Sequence, residues 1–303
     1  MKIAVILVTY NRIGCLKKAI EQYEKQIYKP SHLIVVNNAS KDGTRDFLDL
    51  WKKEKADFEK IVIHNTENIG GSGGFYMGMK KAMDIDCDFM FLADDDAYSE
   101  DNVFLEIMET YKKIPNKNEI AALCTTVINK GKTEISHRCN IKKDLFFIRL
   151  RPISENEYIK ETFRVDIATF VGAMIKKSVV DKIGLPEKDY FIFYDDTEYF
   201  MRISKIGKTL CIPKSRMIHD TDPQRYNSWK GYYDTRNWIF TIAKHYSKLN
   251  MIGAIIHKYL RRCSILSVVV KGRNLQYREM CITAINDAIN GRMGINKKYF
   301  PGN

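Results

Sequence analysis

Four short apolar runs recur along the first third of the chain, and stretches with helical spacing separate them. Each run is almost free of charge, which is the pattern of a parallel strand buried on both faces. The runs cover residues 3–8, 32–36, 61–64 and 89–93. Because strands that alternate with helices form open α/β sheets, the sequence predicts an α/β fold with a mostly parallel, Rossmann-like sheet flanked by helices.

Three consecutive carboxylates, Asp94, Asp95 and Asp96, follow the fourth run directly. In open α/β sheets, ligands bind outside the carboxyl ends of the strands. Adjacent negative charges repel one another, so a bound cation is one way to hold them together. Carboxylate oxygens suit Mg²⁺ or Mn²⁺, and Mg²⁺ usually binds together with a substrate phosphate. A solvated acidic turn is the alternative interpretation of this run taken alone.

A glycine-rich run, Gly70-Gly71-Ser72-Gly73-Gly74, lies between the third apolar run and a helix predicted over residues 76–82. Glycines let the backbone approach a ligand closely, and a helix N-terminus favours phosphate. The spacing matches neither GxGxxG nor GxxxxGK[ST], so it indicates neither a dinucleotide motif nor a P-loop. A flexible loop is the alternative.

A second acidic cluster, Asp195-Asp196-Thr197-Glu198, follows an apolar segment about a hundred residues after the first. Carboxylates in apolar surroundings have raised pKa values and can act as bases. Acidic residues also complement the dipole of a helix N-terminus, and both interpretations can hold together. His219 follows a strand predicted over residues 209–212; a single histidine is more often structural, but imidazole can complete a Mn²⁺ site.

The chain carries 49 basic and 37 acidic side chains, a formal charge of +12, which favours anionic partners. Its length of 303 residues allows one large or two modest domains, and 45% hydrophobic residues exclude disorder. No nucleic-acid-binding motif is present and the candidate site is acidic, so we expect no nucleic acid partner. Seven cysteines without a CxxC pair fit a reducing cytoplasm. We expect no signal peptide, because the chain begins with a strand.

The regular alternation fades after about residue 120. The charged, irregular segment 120–165 is predicted to hold an inserted hairpin or loops over the site, and helices are predicted from Trp238 to Asn290. Residues 251–270 are apolar with interspersed basic residues, and Lys271 and Arg273 continue the charge. A basic amphipathic helix can lie on an anionic bilayer. Packing on the catalytic domain or in a homodimer is the alternative.

Taken in order, the motifs resemble those of a GT-A glycosyltransferase of family 2. The resemblance covers about residues 3–240 and is closest to bacterial galactofuranosyltransferases, with rhamnosyltransferases next. The motifs that carry it are Thr9-Tyr10-Asn11-Arg12, residues 37–44, residues 68–75, Asp94-Asp95-Asp96, Phe170-Val171-Gly172-Ala173, Asp195-Asp196 and His219.

This resemblance implies an inverting, metal-dependent transfer from a nucleotide-diphospho sugar, UDP-galactofuranose first and dTDP-rhamnose as the alternative. The acceptor would be a bacterial surface polysaccharide, such as a capsule or O-antigen, or a lipid-linked glycan. The enzyme would lie in the cytoplasm, peripheral on the inner face of the cell membrane. Residues 1–240 would form the catalytic domain, and residues 241–303 would form a helical region that contacts membrane, acceptor or a second copy.

The resemblance also assigns roles to individual residues. Asp196 matches the catalytic base, and Asp195 would orient the base or the acceptor. The ligands of Mn²⁺ or Mg²⁺ would come from Asp94, Asp96 and His219. The nucleotide sugar would be bound by Thr9, Asn11, Arg12, Asn37, Asn68, Gly71, Ser72, Asp94 and Asp95. Asn37 stands where the family usually has aspartate, and Met77 where these relatives often have arginine.

Two other function classes share some of these features. A nucleotidyltransferase also combines a nucleotide-binding sheet with acidic metal ligands, but it calls for a basic triphosphate loop, and the glycine run contains no Lys or Arg. Non-enzymatic binding of a nucleotide sugar would leave Asp196 without a role.

Overall fold

The computed structural model describes residues 1–219, 229–264 and 275–300. Its strands are β1 Ile3–Thr9, β2 His32–Asn37, β3 Glu59–His64, β4 Phe89–Asp94, β5 Tyr98–Ser99, β6 Ile120–Asn129, β7 Lys132–Thr133, β8 Arg138–Lys143, β9 Ile148–Pro152, β10 Phe163–Val165, β11 Ile167–Ala168, β12 Ala173–Lys176 and β13 Lys208–Ile218. Its helices are α1 Ile13–Glu24, α2 Thr44–Trp51, α3 Gly70–Met83, α4 Val103–Lys113, α5 Lys177–Ile183, α6 Asp195–Ile203, α7 Lys230–His245, α8 Lys248–Arg262 and α9 Leu275–Ile289.

The central sheet has the order β10-β13-β6-β12-β4-β1-β2-β3. Strands β4, β1, β2 and β3 run parallel, as predicted, while β12 runs antiparallel to both β4 and β6. In this register Val8 is opposite Asp94, and Thr9 is opposite Asn37. The carboxyl ends of β1, β2 and β4 therefore meet at one edge of the sheet. The predicted α/β fold with a mostly parallel sheet is confirmed.

Both faces of the sheet are covered by apolar side chains, because successive residues of a strand point to opposite faces. In β1, Ala4, Ile6 and Val8 pack in one core cluster with α3. Ile3, Val5 and Leu7 pack in the other cluster with α1 and α4. The nearly charge-free strands seen in the sequence follow from this burial on two sides.

The segment after residue 120 is more regular than the sequence predicts. Strand β6 is buried from Ile120 to Thr126 and lies inside the main sheet, between β12 and β13. The predicted hairpin is present as β8 and β9, which form a small antiparallel sheet with β11. The prediction of irregular structure was therefore wrong for β6, whose partners come from much later in the chain.

The C-terminal helices begin earlier than predicted, at Lys230 rather than Trp238. They form a third apolar cluster, in which Tyr233 and Ile239 of α7 pack with Cys281 and Ala284 of α9. Residue 240, the predicted domain boundary, lies inside α7, and the division at that point stays a prediction. Of the predicted amphipathic segment, residues 251–264 are described, whereas residues 265–270 and the basic residues Lys271 and Arg273 lie outside the described residues. In the described ranges, none of the helices is long and apolar enough to cross a bilayer.

Candidate active site

A cavity of about 610 Å³ opens at the carboxyl ends of β1 and β4. Most of the site residues predicted from the sequence line it: Thr9, Arg12, Asn68, Gly71, Ser72, Asp94, Asp96, Asp195, Asp196 and His219. Three predicted residues do not line it: Asn11, Asn37 and Asp95. The structure therefore brings both acidic clusters and the glycine run to one space. The residues that separate the glycine run and the two acidic clusters in the sequence form strands and helices of the fold.

The three aspartates after β4 have different environments. Asp95 is fully buried and lies 2.5 Å from Arg12 Nη2, while Arg12 Nη1 binds Asp96. Burial raises the pKa of Asp94 to about 6, and the charge of Asp96 adds to the rise. Burial also raises the pKa of Asp95 to about 7, although Arg12 opposes it. Asp95 thus binds Arg12 without lining the cavity, whereas Asp94 and Asp96 line it.

Asp96 and His219 lie next to each other at the cavity wall, with His219 Nε2 3.4 Å from Asp96 Oδ1. Burial would raise the pKa of Asp96, but His219 and Arg12 outweigh it and lower the pKa. Within residues 1–219, 229–264 and 275–300, no three His, Cys, Asp or Glu side chains already form a compact metal-binding group. The donor set nevertheless fits a divalent cation, because carboxylate oxygens and imidazole are ligands of Mn²⁺.

Asp195 and Asp196 form the first turn of α6, so the helix-terminus interpretation of this cluster is confirmed. Asp196 Oδ1 accepts hydrogen bonds from Thr197 N at 2.5 Å and Thr197 Oγ1 at 3.1 Å. Burial raises the pKa of Asp196, and Thr197 opposes the rise. Burial and the charge of Asp196 raise the pKa of Asp195 to about 8. Both carboxylates of the pair thus have pKa values above the ordinary range.

Glu198 belongs to the same acidic cluster but does not line the cavity. Burial would raise its pKa, but His245, Arg202 and Lys244 outweigh it and lower the pKa to about 2. Its carboxylate contacts His245 and Lys244 of α7, each at 2.9 Å. Glu198 therefore ties α6 to the C-terminal helices.

The backbone before α6 has a rare conformation. Phe191, Phe193 and Tyr194 all have φ between 66° and 67°. Side chains disfavour this left-handed region, and such residues persist only where the surroundings fix them. The side-chain amide of Asn237 in α7 supplies that constraint by donating to the carbonyls of Tyr190, Ile192 and Phe193 at 2.8–3.0 Å. A C-terminal helix thus fixes the backbone that leads into Asp196.

The glycine run is the first turn of α3, not a loop before it, so the helix predicted from Tyr76 begins at Gly70. Gly70 has a φ of 74°, and a Cβ there would lie 2.0 Å from the carbonyl oxygen of Phe191. A Cβ at Gly74 would lie 2.4 Å from Val8 of β1. These glycines let α3 pack closely against β1 and against the strained segment. Gly71 has open space beside it and lines the cavity.

Asn11 and Asn37 brace the loops behind the cavity. The side-chain oxygen of Asn11 accepts from Lys41 N at 2.7 Å, and that of Asn37 accepts from Ser40 N at 3.0 Å. The next residue, Asn38, lines the cavity, and its side-chain amide donates to the carbonyl of Gly70 at 2.9 Å. The nucleotide roles predicted for Asn11 and Asn37 stay predictions.

Several cavity residues are not singled out by sequence reasoning, namely Asn38, His137, Thr169, Trp229 and Lys230. His137 lies in the segment predicted to be irregular, and its ring centre is 5.7 Å from that of His219. Its neighbour Arg138 is fully buried and donates to the carbonyls of Thr125 and Val171 at 2.8 Å. The charge of Arg138 opposes the rise in the Asp196 pKa that burial causes. No local pattern distinguishes this arginine from exposed basic residues nearby.

The sequence profile of the family described as Glycosyl transferase family 2 matches residues 4–184. The chain belongs to this family. The matched range includes the glycine run and the aspartates after β4. It ends before Asp195, Asp196 and the C-terminal helices.

Two curated relatives resemble this family member along much of its length. Galactofuranosyltransferase GlfT1 of Mycobacterium tuberculosis is 27% identical over 203 residues, which cover 67% of this chain and 64% of the relative. The chain thus matches less than two thirds of that protein's length. The dTDP-rhamnosyl transferase RfbF of Shigella flexneri is 23% identical over 96% of this chain and 97% of its own length.

Solved structures confirm the GT-A fold. The crystal structure of GalNAc-T7 with UDP, GalNAc and Mn²⁺ superposes with a TM-score of 0.61 at 15% identity, covering 96% of this chain and 56% of that one. At this identity the likeness concerns the fold alone. The place of this chain among the glycosyltransferases rests on the family match.

Proposed function

We propose that this glycosyltransferase moves a sugar from a nucleotide-diphospho sugar to a glycan acceptor with inversion at the anomeric carbon. The observation that carries the proposal is the placement of two separate carboxylate groups around one cavity. Asp94 and Asp96 lie near His219 on one wall, and Asp196 lies in the first turn of α6. A metal-assisted displacement needs both: carboxylates for the cation, and another left to accept a proton.

The donor would lie over the carboxyl ends of β1 and β4, near Thr9, Asn38 and Asn68. Its diphosphate needs positive charge, and Arg12 and Lys230 both line the cavity. Asp94, Asp96 and His219 would hold Mn²⁺ or Mg²⁺, and a bound ion of this kind offsets the charge that develops on the leaving diphosphate. The structural neighbour GalNAc-T7 was crystallised with Mn²⁺.

Asp196 is the proposed base. It takes the proton of the acceptor hydroxyl while that oxygen bonds to the anomeric carbon and the bond to the nucleotide diphosphate breaks. A raised carboxylate pKa suits this role, because a base works best when its pKa lies near the working pH. Asp195, its neighbour in the first turn of α6, would orient the base or the acceptor.

UDP-galactofuranose is the donor we propose, with dTDP-rhamnose as the second candidate. The similarity to GlfT1 and to RfbF supports these two. The GlfT1 match has the higher identity, whereas the RfbF match covers nearly the whole chain.

A donor screen by thermal shift tests the proposal, because a ligand that binds only the native state raises the unfolding midpoint by mass action. UDP-galactofuranose, UDP-galactose, UDP-glucose and dTDP-rhamnose would be compared with and without Mn²⁺. We expect a Mn²⁺-dependent rise with UDP-galactofuranose that Asp96→Ala removes and that Asp101→Ala, at an exposed acidic residue, keeps. A rise with dTDP-rhamnose alone would identify rhamnose as the transferred sugar. No rise with any donor would contradict the proposed function.

We further propose peripheral contact with a membrane through α8. This helix exposes Leu249, Ile252, Ile256 and Leu260 at helical spacing. The exposed side chains of Leu145 and Phe146 are close by, since a Cβ at Gly253 would lie 1.8 Å from the Phe146 carbonyl oxygen. The formal charge of +12 favours an anionic bilayer.

Co-sedimentation with vesicles tests this contact. We expect the protein to pellet with anionic vesicles, and Ile252→Ser/Ile256→Ser to reduce the pelleted fraction. If the variant pellets with vesicles as wild type does, and light scattering shows a dimer for wild type but a monomer for the variant, the same face serves self-association instead.

A further inference from the structure

A second cavity, of about 620 Å³, lies between the β8–β9 hairpin and helices α7 and α8. It shares none of its lining residues with the active-site cavity. We call it the basic cavity, and its lining is Phe147, Ile148, Arg149, Leu150, Arg151, Tyr194, Asp234, Trp238, Ala254, His257, Lys258, Arg261 and Arg262. Nothing in the proposed donor chemistry uses this space.

Positive charge exceeds negative charge around the basic cavity. Its lining contains five Lys or Arg side chains and one carboxylate, Asp234. That carboxylate is shared between Lys258, at 2.8 Å, and Arg262, at 2.5 Å. A second carboxylate, Asp144, lies outside the lining and pairs with Arg149 at 2.5 Å. The lining thus carries more formal positive than negative charge, and Lys258 and Arg262 share a single carboxylate.

Two of these cations are deeply buried. Lys258 is 6% exposed and Arg262 is 7% exposed. Burial of a charge is costly unless the charge is paired, and one carboxylate cannot neutralise both cations. Burial lowers the pKa of Lys258 to about 8, and Arg262 and Arg261 lower it as well, against the effect of Asp234. An anion in the cavity would supply the missing negative charge.

The basic cavity adjoins the proposed catalytic base through Tyr194. The Tyr194 side chain lines the basic cavity, whereas its neighbours Phe193 and Asp195 line the active-site cavity. The Tyr194 hydroxyl donates to Asp234 at 2.9 Å, so the segment before Asp196 is tied directly to the cluster of cations. The backbone that carries Asp196 therefore also contributes to the lining of the basic cavity, two residues earlier in the chain.

We propose that the basic cavity binds a phosphate or diphosphate group carried by the acceptor glycan. The inference rests on the proposed function for its assignment to the acceptor, since the donor diphosphate belongs in the other cavity. The lining supplies charge-assisted donors for phosphate oxygens from Lys and Arg. It also supplies aromatic surface from Phe147 and Trp238 for the group that the phosphate joins to the glycan. The acceptor is therefore an anionic, phosphate-linked glycan.

Arg149 and Arg151 are the residues to change first. They lie two apart on β9, hence on the same face, and both are exposed. Exposed positions usually tolerate substitution within about 0.5 kcal/mol. Lys258→Met is a second variant. Its unfolding midpoint would be measured as well, because the substitution removes one of the two cations that pair with Asp234.

The first experiment is calorimetric titration of inorganic pyrophosphate into the whole protein in EDTA at low ionic strength. We expect Arg149→Gln/Arg151→Gln to weaken binding about tenfold or more, since charge-assisted bonds are lost. Arg45→Gln, at an exposed arginine outside both cavities, should leave it unchanged, and Lys230→Gln reports any pyrophosphate bound in the active-site cavity instead. No binding, equal binding by the double variant, or a loss confined to Lys230→Gln would overturn the anion site.

The second experiment identifies the source of the phosphate. The same glycan would be supplied as an acceptor with a diphosphate linker and with a neutral one. We expect the double variant to raise KM about tenfold for the first acceptor only, with the donor KM unchanged. If the variant instead loses binding to anionic vesicles and treats both acceptors as wild type does, the anion is a lipid headgroup and the acceptor assignment is overturned. Pyrophosphate binding without sugar transfer would keep the anion site and overturn the proposed function.

Discussion

The side-chain amide of Asn237 donates to the carbonyl oxygen of Phe193 at 3.0 Å, three residues before Asp196. The same amide reaches the carbonyls of Tyr190 and Ile192. Because the backbone of Phe193 and its neighbours has positive φ, these contacts hold a conformation that the side chains disfavour. Helix α7 therefore takes part in positioning the proposed base, although it lies after the range that the family profile matches.

Asn237→Ala should reduce transfer through this positioning. Loss of three buried carbonyl contacts should lower the free energy of unfolding by about 1–3 kcal/mol. A displaced base should lower kcat between about tenfold and a hundredfold, with the donor KM little changed. Steady-state kinetics and urea unfolding check this, with Asn290→Ala at an exposed position as control. Unchanged kcat in a destabilised variant would give Asn237 a purely structural role.

Asp196→Asn should remove the base and keep the donor site. General-base catalysis contributes about 10²–10⁴-fold to the rate, so we expect kcat to fall by a factor of at least about 10². Donor affinity, measured by calorimetry with Mn²⁺, should stay within about twofold of wild type. The proposed base acts on the acceptor hydroxyl and contributes to the transition state, not to binding of the donor. A loss of donor affinity as large as that of Asp96→Ala would contradict the assignment.

Asp195→Asn should change how stability depends on pH. Burial raises the folded-state pKa of Asp195 to about 8, above an ordinary value of about 4, so the folded state binds this proton more tightly. That contribution is fully present below about pH 4 and is lost as pH rises toward about 8. The unfolding midpoint of wild type should therefore fall more between about pH 5 and pH 8 than that of the variant. Parallel pH profiles would show that Asp195 does not titrate in this way.

Gly70→Ala and Gly71→Ala should have opposite effects on stability. Alanine at residue 70 meets the Phe191 carbonyl oxygen and needs a positive φ, so we expect a loss of about 1–3 kcal/mol. Alanine at residue 71 meets open space in the first turn of α3 and should gain about 0.5–1 kcal/mol. Chemical denaturation of both variants measures the difference. A stable Gly70→Ala protein would show that the segment at Phe191 can move away without cost.

The sequence alone determined the parallel strands and the position of the carboxylates at the end of β4. Burial on two faces leaves a local, charge-free pattern, and Asp94 follows it without a gap. The same local reasoning placed the predicted base at the first turn of α6. These features depend on neighbours a few residues away, so the chain displays them directly.

Tertiary structure decided the features that depend on distant partners. Strand β6 gains its regularity from β12 and β13, and the glycine run joins α3 because close packing against β1 and Phe191 requires it. Asn38 lines the cavity, whereas the side chain of Asn37 contacts Ser40 and His64 instead. The basic cavity joins residues of β9 to residues of α8 about a hundred positions later. Charges gather there because the fold brings the two elements together, and no local pattern records that contact.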